Sequence, residues 1–139
     1  MNGYSGTPLA QKLGITAEMA VVVISAPANY RKLLGRVARS VEFSDKLKNA
    51  STFVHIFTKS RGELEKRLSI VREKVADTGI IWVSWPKKSS GVRTDVTEDM
   101  VRSIALPLGF VDVKVCAIDG TWSGLKWMVR RTNRKRAVR

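Results

Sequence analysis

The sequence predicts an α/β fold, a single domain with a mostly parallel sheet of about six strands, closed by an antiparallel hairpin at the C-terminal end. Apolar runs of strand length, such as residues 19–24 and 80–85, alternate with helical segments. This alternation is typical of parallel strands joined by helical crossovers. The last two apolar runs are separated by Asp119-Gly120, a strong turn signal, and a tight turn joins antiparallel neighbours. The length of 139 residues fits one domain.

The N-terminal elements have local signals of their own. Thr7 and Pro8 begin a short helix that Gly14 ends. Residues 19–24 are apolar throughout, as in a central strand covered on both faces. A short helix at residues 30–34 and a weak strand at residues 41–43 follow.

The middle of the chain predicts a strand, a long helix and a second strand. Residues 52–58 form the strand, and Ser60 with Glu63 fits a capping box that opens the helix. The helix carries one apolar stripe, and Gly79 is expected to end it just before the strand at residues 80–85. The stripe consists of Leu64, Leu68, Val71 and Val75.

The C-terminal third predicts a helix and the hairpin. Thr97 caps the helix, which Pro107 and Gly109 end. Residues 110–118 alternate like a half-covered strand, and residues 125–130 return beside it. We therefore take residues 1–131 as the domain and residues 132–139 as a basic, disordered tail.

Basic residues dominate the charge, which is +13 at pH 7, and about half of the excess lies at the C-terminal end. Such a tail favours polyanions through counterion release, although a solvated tail that aids solubility would have the same composition. The tail residues predicted to contact nucleic acid are Arg130, Arg131, Arg134, Lys135, Arg136 and Arg139.

A second basic segment directly follows the buried strand at residues 80–85. In α/β folds the loops after such strands usually hold the ligand. Two ammonium groups, two hydroxyls and a nearby guanidinium suit a phosphate or carboxylate, and the alternative is an ordinary solvated loop. The predicted anion-binding residues are Lys87, Lys88, Ser89, Ser90 and Arg93.

Other candidate side chains are few. Trp85 and Trp122 lie at strand ends, where they could line a pocket or stack on a base. His55, the only histidine, has apolar neighbours and is expected in the interior of the protein, and no cluster of metal ligands is present. Cys116, the only cysteine, is expected to be a reduced thiol on a strand.

The order of elements resembles the class I methyltransferase variant of the Rossmann fold, with one strand missing. The strings GYSGTPL at residues 3–9 and WVSWPKKSSG at residues 82–91 also resemble a family of small, uncharacterised bacterial proteins, which implies a Rossmann-like fold and no established activity. The loop at residues 25–29 lacks the glycines expected around S-adenosylmethionine. Glu42 and Asp45 are both candidates for the acid that binds a ribose.

The function predicted first is that of a non-catalytic binder of an anionic partner, with nucleic acid as the first candidate, which uses the basic loop and the tail and no cofactor. The alternatives are a divergent S-adenosylmethionine-dependent methyltransferase and a protein–protein adaptor. No apolar run is long enough to span a bilayer and no secretory signal is evident, so we expect a cytoplasmic protein.

Overall fold

A computed structural model describes residues 7–134 and contains one six-stranded sheet with the strand order β2-β1-β3-β4-β6-β5. Strands β1 to β4 are parallel, and β6 runs antiparallel to both β4 and β5. The predicted fold class is therefore confirmed. The strands are β1 (Ala20–Ile24), β2 (Glu42–Ser44), β3 (Ser51–Phe57), β4 (Val75–Pro86), β5 (Phe110–Ala117) and β6 (Trp122–Val129). The helices are α1 (Leu9–Leu13), α2 (Tyr30–Leu34), α3 (Arg61–Lys74) and α4 (Glu98–Ala105).

Two hydrophobic cores lie on the two faces of this sheet. Helices α3 and α4 cover one face, where Leu68 and Val101 pack on the β-strands. Helices α1 and α2 contribute to the other core, in which Trp82 is fully buried and its indole Nε1 donates to the carbonyl oxygen of Leu13 at 2.9 Å. None of the helices described between residues 7 and 134 has the length and apolar character needed to cross a bilayer.

Strand β4 begins earlier than the sequence predicts. Helix α3 ends at Lys74, so Val75 belongs to the strand, and Gly79 lies within β4. The pairing with β3 shifts between Ser51 and Phe53, so that several residues of β4 bulge out. A Cβ atom on Gly79 would lie 2.6 Å from a methyl group of Val75. Gly79 therefore permits this close approach, and the prediction that it ends the helix was wrong.

The C-terminal segment differs from the prediction as well. Residues Arg131–Asn133 form a 3₁₀ turn that is hydrogen-bonded to the rest of the domain. The Asn133 side chain donates to the carbonyl oxygen of Gly109. The Arg72 guanidinium donates to the carbonyl oxygens of Leu108 and Asn133. The tail predicted for residues 132–139 therefore begins within this hydrogen-bonded turn. Residues 135–139 lie outside the described part of the chain.

Candidate functional site

A crevice opens at the carboxyl edge of the sheet, where the four parallel strands end. From β1 the chain goes to β2 on one side and then crosses to β3 on the other side, so β1 and β3 are neighbours at a topological switch point. Ligands of open α/β sheets bind outside the carboxyl ends of the strands at such a point. The loop of residues 25–29, here called the first loop, separates the crevice into two pockets.

The first pocket, about 280 Å³ in volume, lies between the first loop and the end of β2. Small side chains of the first loop form one side, and aromatic rings and a carboxylate form the other. Its lining residues are Val23, Ala26, Pro27, Ala28, Tyr30, Arg31, Phe43, Ser44 and Asp45.

Asp45 is the acid that the structure places in this pocket. It directly follows the last residue of β2, whereas Glu42 begins that strand and lines two other cavities further from the carboxyl edge. The sequence left both acids open as ribose ligands, and their positions on β2 separate them. A carboxylate that follows the second strand accepts hydrogen bonds from ribose hydroxyls in dinucleotide-binding folds.

Phe43 and Arg31 give the first pocket its aromatic and cationic character. The Arg31 guanidinium carbon lies 4.4 Å from the centroid of the Phe43 ring, within the range of a cation–π interaction. Tyr30 meets Phe43 edge to face at 6.1 Å. The sequence analysis did not identify Tyr30, Arg31 and Phe43 as site residues, since only their places after β1 and near the end of β2 point to the pocket.

The second pocket lies on the other side of the first loop and shares Ala26 and Pro27 with the first pocket. Its volume is about 410 Å³. Trp122 contributes an aromatic wall and contacts Phe57 edge to face at 5.0 Å. The remaining lining residues are Ser25, Thr58, Lys59, Ser60 and Glu63.

The first loop has an unusual backbone for a segment without glycine. Ser25 has a φ of 60°, in the left-handed region that glycine adopts most readily. Such a conformation costs a non-glycine residue about 1 kcal/mol or more and persists only where neighbouring contacts impose it. Ala26 and Ala28 keep the loop sterically open. Pro27 has no backbone N–H and so offers no main-chain donor to a ligand.

A buried polar chain lies beneath the first loop. The Tyr30 hydroxyl and Nδ1 of His55 are 2.8 Å apart, and Nε2 of His55 is 2.8 Å from Oγ of Ser84. His55 and Ser84 are completely buried, and Tyr30 is 3 % exposed. Burial lowers the pKa of His55 to about 3 and raises the pKa of the Tyr30 hydroxyl above its usual value. The imidazole is therefore neutral, and each ring nitrogen has a partner.

The predicted anion-binding loop follows β4 at the same edge of the sheet. The backbone N–H of Lys87 donates to the carbonyl oxygen of Thr121, which places the loop beside Trp122. Lys88, Ser89 and Arg93 are exposed.

Ser90 has a structural task in this loop. Its hydroxyl donates to the carbonyl oxygen of Lys87 at 2.6 Å and accepts from the backbone N–H of Val92 at 3.1 Å. Both contacts close the turn at residues 88–90, so the Ser90 hydroxyl is already engaged within the protein. Anion binding by the other residues of the loop stays a prediction.

The loops after β3 and β4 are tied together. The Thr94 hydroxyl and the Asp95 backbone N–H both donate to the carbonyl oxygen of Lys59. The Asp95 carboxylate also accepts from the backbone N–H of Arg61 at 2.8 Å, in the first turn of α3. A carboxylate of the protein therefore occupies the positive end of this helix.

The two tryptophans singled out as pocket residues lie on opposite faces of the sheet. Trp122 is half-buried and lines the second pocket. Trp85 is only 6 % exposed and packs in the core beneath α3 and α4, so its ring is not available to a ligand. Trp85 also pairs with Ser123 on the neighbouring strand β6, so it lies within the sheet and not at its edge.

The basic C-terminal residues that the structure describes, Arg130, Arg131 and Arg134, lie away from the crevice. Strand β6 runs antiparallel to β4, so it starts at the carboxyl edge with Trp122 and ends at the opposite edge, roughly 25 Å away at 3.3 Å per residue. Arg130 and Arg131 are exposed there, and the Arg134 guanidinium donates to the carbonyl oxygen of Val129. Lys135, Arg136 and Arg139 lie outside the described residues. Within the described residues, Arg130, Arg131 and Arg134 therefore lie at the edge of the sheet opposite to the basic loop.

No group of three or more potential metal ligands lies close together within residues 7–134. Cys116 is half-buried on β5, and burial raises the pKa of its thiol, against a smaller opposite effect of Lys12 and Lys114. A thiol of this kind is a weak nucleophile.

The chain is similar in fold to solved structures that include methyltransferases. A SAM-dependent methyltransferase from Aquifex aeolicus is 14% identical, covers 87% of each chain and superposes with a TM-score of 0.62. The precorrin-6y C5,15-methyltransferase from Geobacter metallireducens is 11% identical, with coverage of 87% and 85% and a TM-score of 0.55. DhpI, solved in complex with SAH, is 12% identical, with coverage of 89% and 83% and a TM-score of 0.60. No protein-family model and no curated protein sequence matches the chain.

These comparisons define the fold as that of methyltransferase-like Rossmann proteins. They also correct the function that the sequence favoured. Two of the structures that match the chain over most of its length are named as methyltransferases, and these matches support the methyltransferase alternative better than the non-catalytic nucleic-acid binder that was predicted first. The first prediction gave too much weight to net charge, which reports on possible partners but not on the chemistry of a site.

Proposed function

We propose that this chain is a divergent S-adenosylmethionine-dependent methyltransferase. The observation that carries the proposal is the pair of adjoining pockets at the carboxyl ends of β1, β2 and β3, with Asp45 in one pocket and Trp122 in the other. The methyltransferase-like fold supports it, since the crevice lies where the topology reverses.

The residues of the first pocket fit the nucleoside half of the cofactor. Asp45 offers two carboxylate oxygens to ribose hydroxyls, and Phe43 offers an aromatic surface to a purine. Ser25 adopts the left-handed turn that glycine usually provides, and the alanines beside it let a ligand approach the backbone. Pro27 is the one lining residue of this pocket that cannot donate a backbone hydrogen bond to the cofactor, since it has no N–H.

The second pocket fits the reacting end. S-adenosylmethionine supplies an electrophilic methyl group on a sulfonium centre when it is bound. Trp122 offers a π-face to a cation, and the Glu63 carboxylate gives the pocket a negative charge and a site that can take up a proton from an acceptor. Phe57 and Trp122 together exclude water from one wall.

The test is calorimetric titration of the full-length protein with S-adenosylmethionine and S-adenosylhomocysteine. Asp45→Ala should weaken binding about 10- to 100-fold, because a pair of charge-assisted hydrogen bonds contributes about 1.5–3 kcal/mol. Glu42→Ala is the matched control on the same strand and should leave the affinity unchanged. No heat from the wild-type protein, or equal losses in the two variants, would refute the proposal.

A further inference from the structure

The first loop has to hold a defined shape without the glycines and the long helix that usually fix it. Helix α2, which follows the loop, has only five residues, and helices of this length gain little stability from their own hydrogen bonds. Ser25 also holds a backbone conformation that opposes its own preference. Contacts from elsewhere in the fold must therefore keep the loop in place.

Tyr30 provides the main contact of this kind. It is the first residue of α2, and its backbone N–H donates to the carbonyl oxygen of Pro27 at 3.0 Å, which closes the loop. Its ring is buried against His55 and Phe57, both at 5.4 Å and both edge to face. The ring thus connects the floor of the first pocket to two residues of β3.

His55 fixes the direction of that ring. It is stacked on Phe57 at 4.3 Å, which holds the imidazole plane, and it bridges Tyr30 and Ser84 through its two nitrogens. Either the Tyr30 hydroxyl or the Ser84 hydroxyl donates to the ring, and the other accepts from it, so one neutral imidazole satisfies both. A fully buried polar chain of this kind favours a single arrangement of its members.

We infer that Tyr30, His55 and Ser84 form a positioning chain that holds the first loop in the shape that receives the cofactor and replaces the missing glycines. The inference rests on the proposed function, since it assigns a role in cofactor binding. Tyr30 and His55 are positioning residues, and they act through the backbone of residues 25–29. No proton leaves the chain in this role, because burial keeps both the phenol and the imidazole neutral near pH 7.

The test uses Tyr30→Phe, which keeps the ring and its packing and deletes only the hydroxyl. We expect amide hydrogen exchange in residues 25–30 of the ligand-free protein to become at least about 5-fold faster, and the dissociation constant for S-adenosylmethionine to rise by a similar factor. Val21→Ala is the matched control, because Val21 belongs to the same hydrophobic core as Tyr30 but is not a member of the positioning chain. It should lower the melting temperature and leave both readouts of the loop unchanged.

His55→Asn and His55→Leu give a second, independent comparison. Asparagine can place an amide group near the position of Nδ1 and pair with Tyr30, whereas leucine cannot, so Asn should retain more of the loop protection. Unchanged exchange in Tyr30→Phe, or equal losses in the Val21→Ala control, would overturn the inference. If the wild-type protein does not bind S-adenosylmethionine but Tyr30→Phe still speeds amide exchange in the first loop, the proposed function is refuted and the positioning chain stands.

Discussion

Acidification from pH 7 to pH 5 should destabilise this protein through a single side chain. His55 is the only histidine of the chain, and its pKa falls from 6.5 to about 3 on folding because it is buried. The unfolded chain therefore takes up a proton below pH 6.5 that the folded protein does not accept until about pH 3. Stability decreases as the pH falls through that window and levels off below it, as far as this group is concerned.

The magnitude follows from the two pKa values. At pH 5, the unfolded histidine is 1.5 pH units below its pKa of 6.5, and each unit corresponds to about 1.4 kcal/mol, which gives a loss of about 2 kcal/mol. Most carboxylates titrate below this range, so His55 dominates the window between pH 5 and pH 7.

Urea denaturation at pH 7, 6 and 5 measures the effect as a shift of the free energy of unfolding. His55→Asn is the control: it starts from a lower stability, but its free energy of unfolding should be nearly independent of pH in this range. A wild-type protein of equal stability at pH 5 and pH 7, or a variant with the wild-type slope, would contradict the burial of a neutral imidazole.

Three further changes test other parts of the structure. Gly124→Ala should lower the free energy of unfolding by about 1–3 kcal/mol in chemical denaturation, because a Cβ atom there would lie 3.0 Å from Ile118 and 3.2 Å from the ring of Trp82. A loss below about 0.5 kcal/mol would contradict this close approach of β6 to the two side chains. Ser60→Ala should cost about 1 kcal/mol, since the Ser60 hydroxyl accepts from the backbone N–H of Glu63 at 3.3 Å, whereas Ser103→Ala on an exposed site should cost less. Cys116 should react with a maleimide more slowly at pH 7 in the folded protein than in urea, and equal rates would show that its thiol is not shielded.

The fold was readable from the sequence because its signals are local and periodic. The apolar run that became β1, the Ser60 cap of α3 and the Asp119 turn each depend on residues close together in the chain, and the Asp119 carboxylate indeed accepts from the backbone N–H groups of Thr121 and Trp122. The boundary between α3 and β4 was missed because the bulge at Gly79 depends on contacts with Ser51 of another strand.

The candidate site was only partly readable. Trp122 and the acids near β2 could be proposed because they flank predicted strands, but Tyr30, Phe43 and His55 meet only after three separate strands pair. A cofactor-binding first loop usually contains glycines, which can be recognised in the sequence. Here the side chains that we propose to hold the loop are distant from it in sequence. The distribution of charge was the most misleading signal, since the basic loop after β4 and the described basic residues after β6 lie at opposite edges of the sheet.

The position of Arg134 has a practical consequence. The described part of the chain ends on the side of the sheet opposite to the crevice, and Asn133 is held there by Gly109 and Arg72. A fluorescent fusion or a surface tether joined directly after Arg134 would therefore leave both pockets facing the solvent. Biosensor experiments with an immobilised protein should give the same affinities as measurements in free solution.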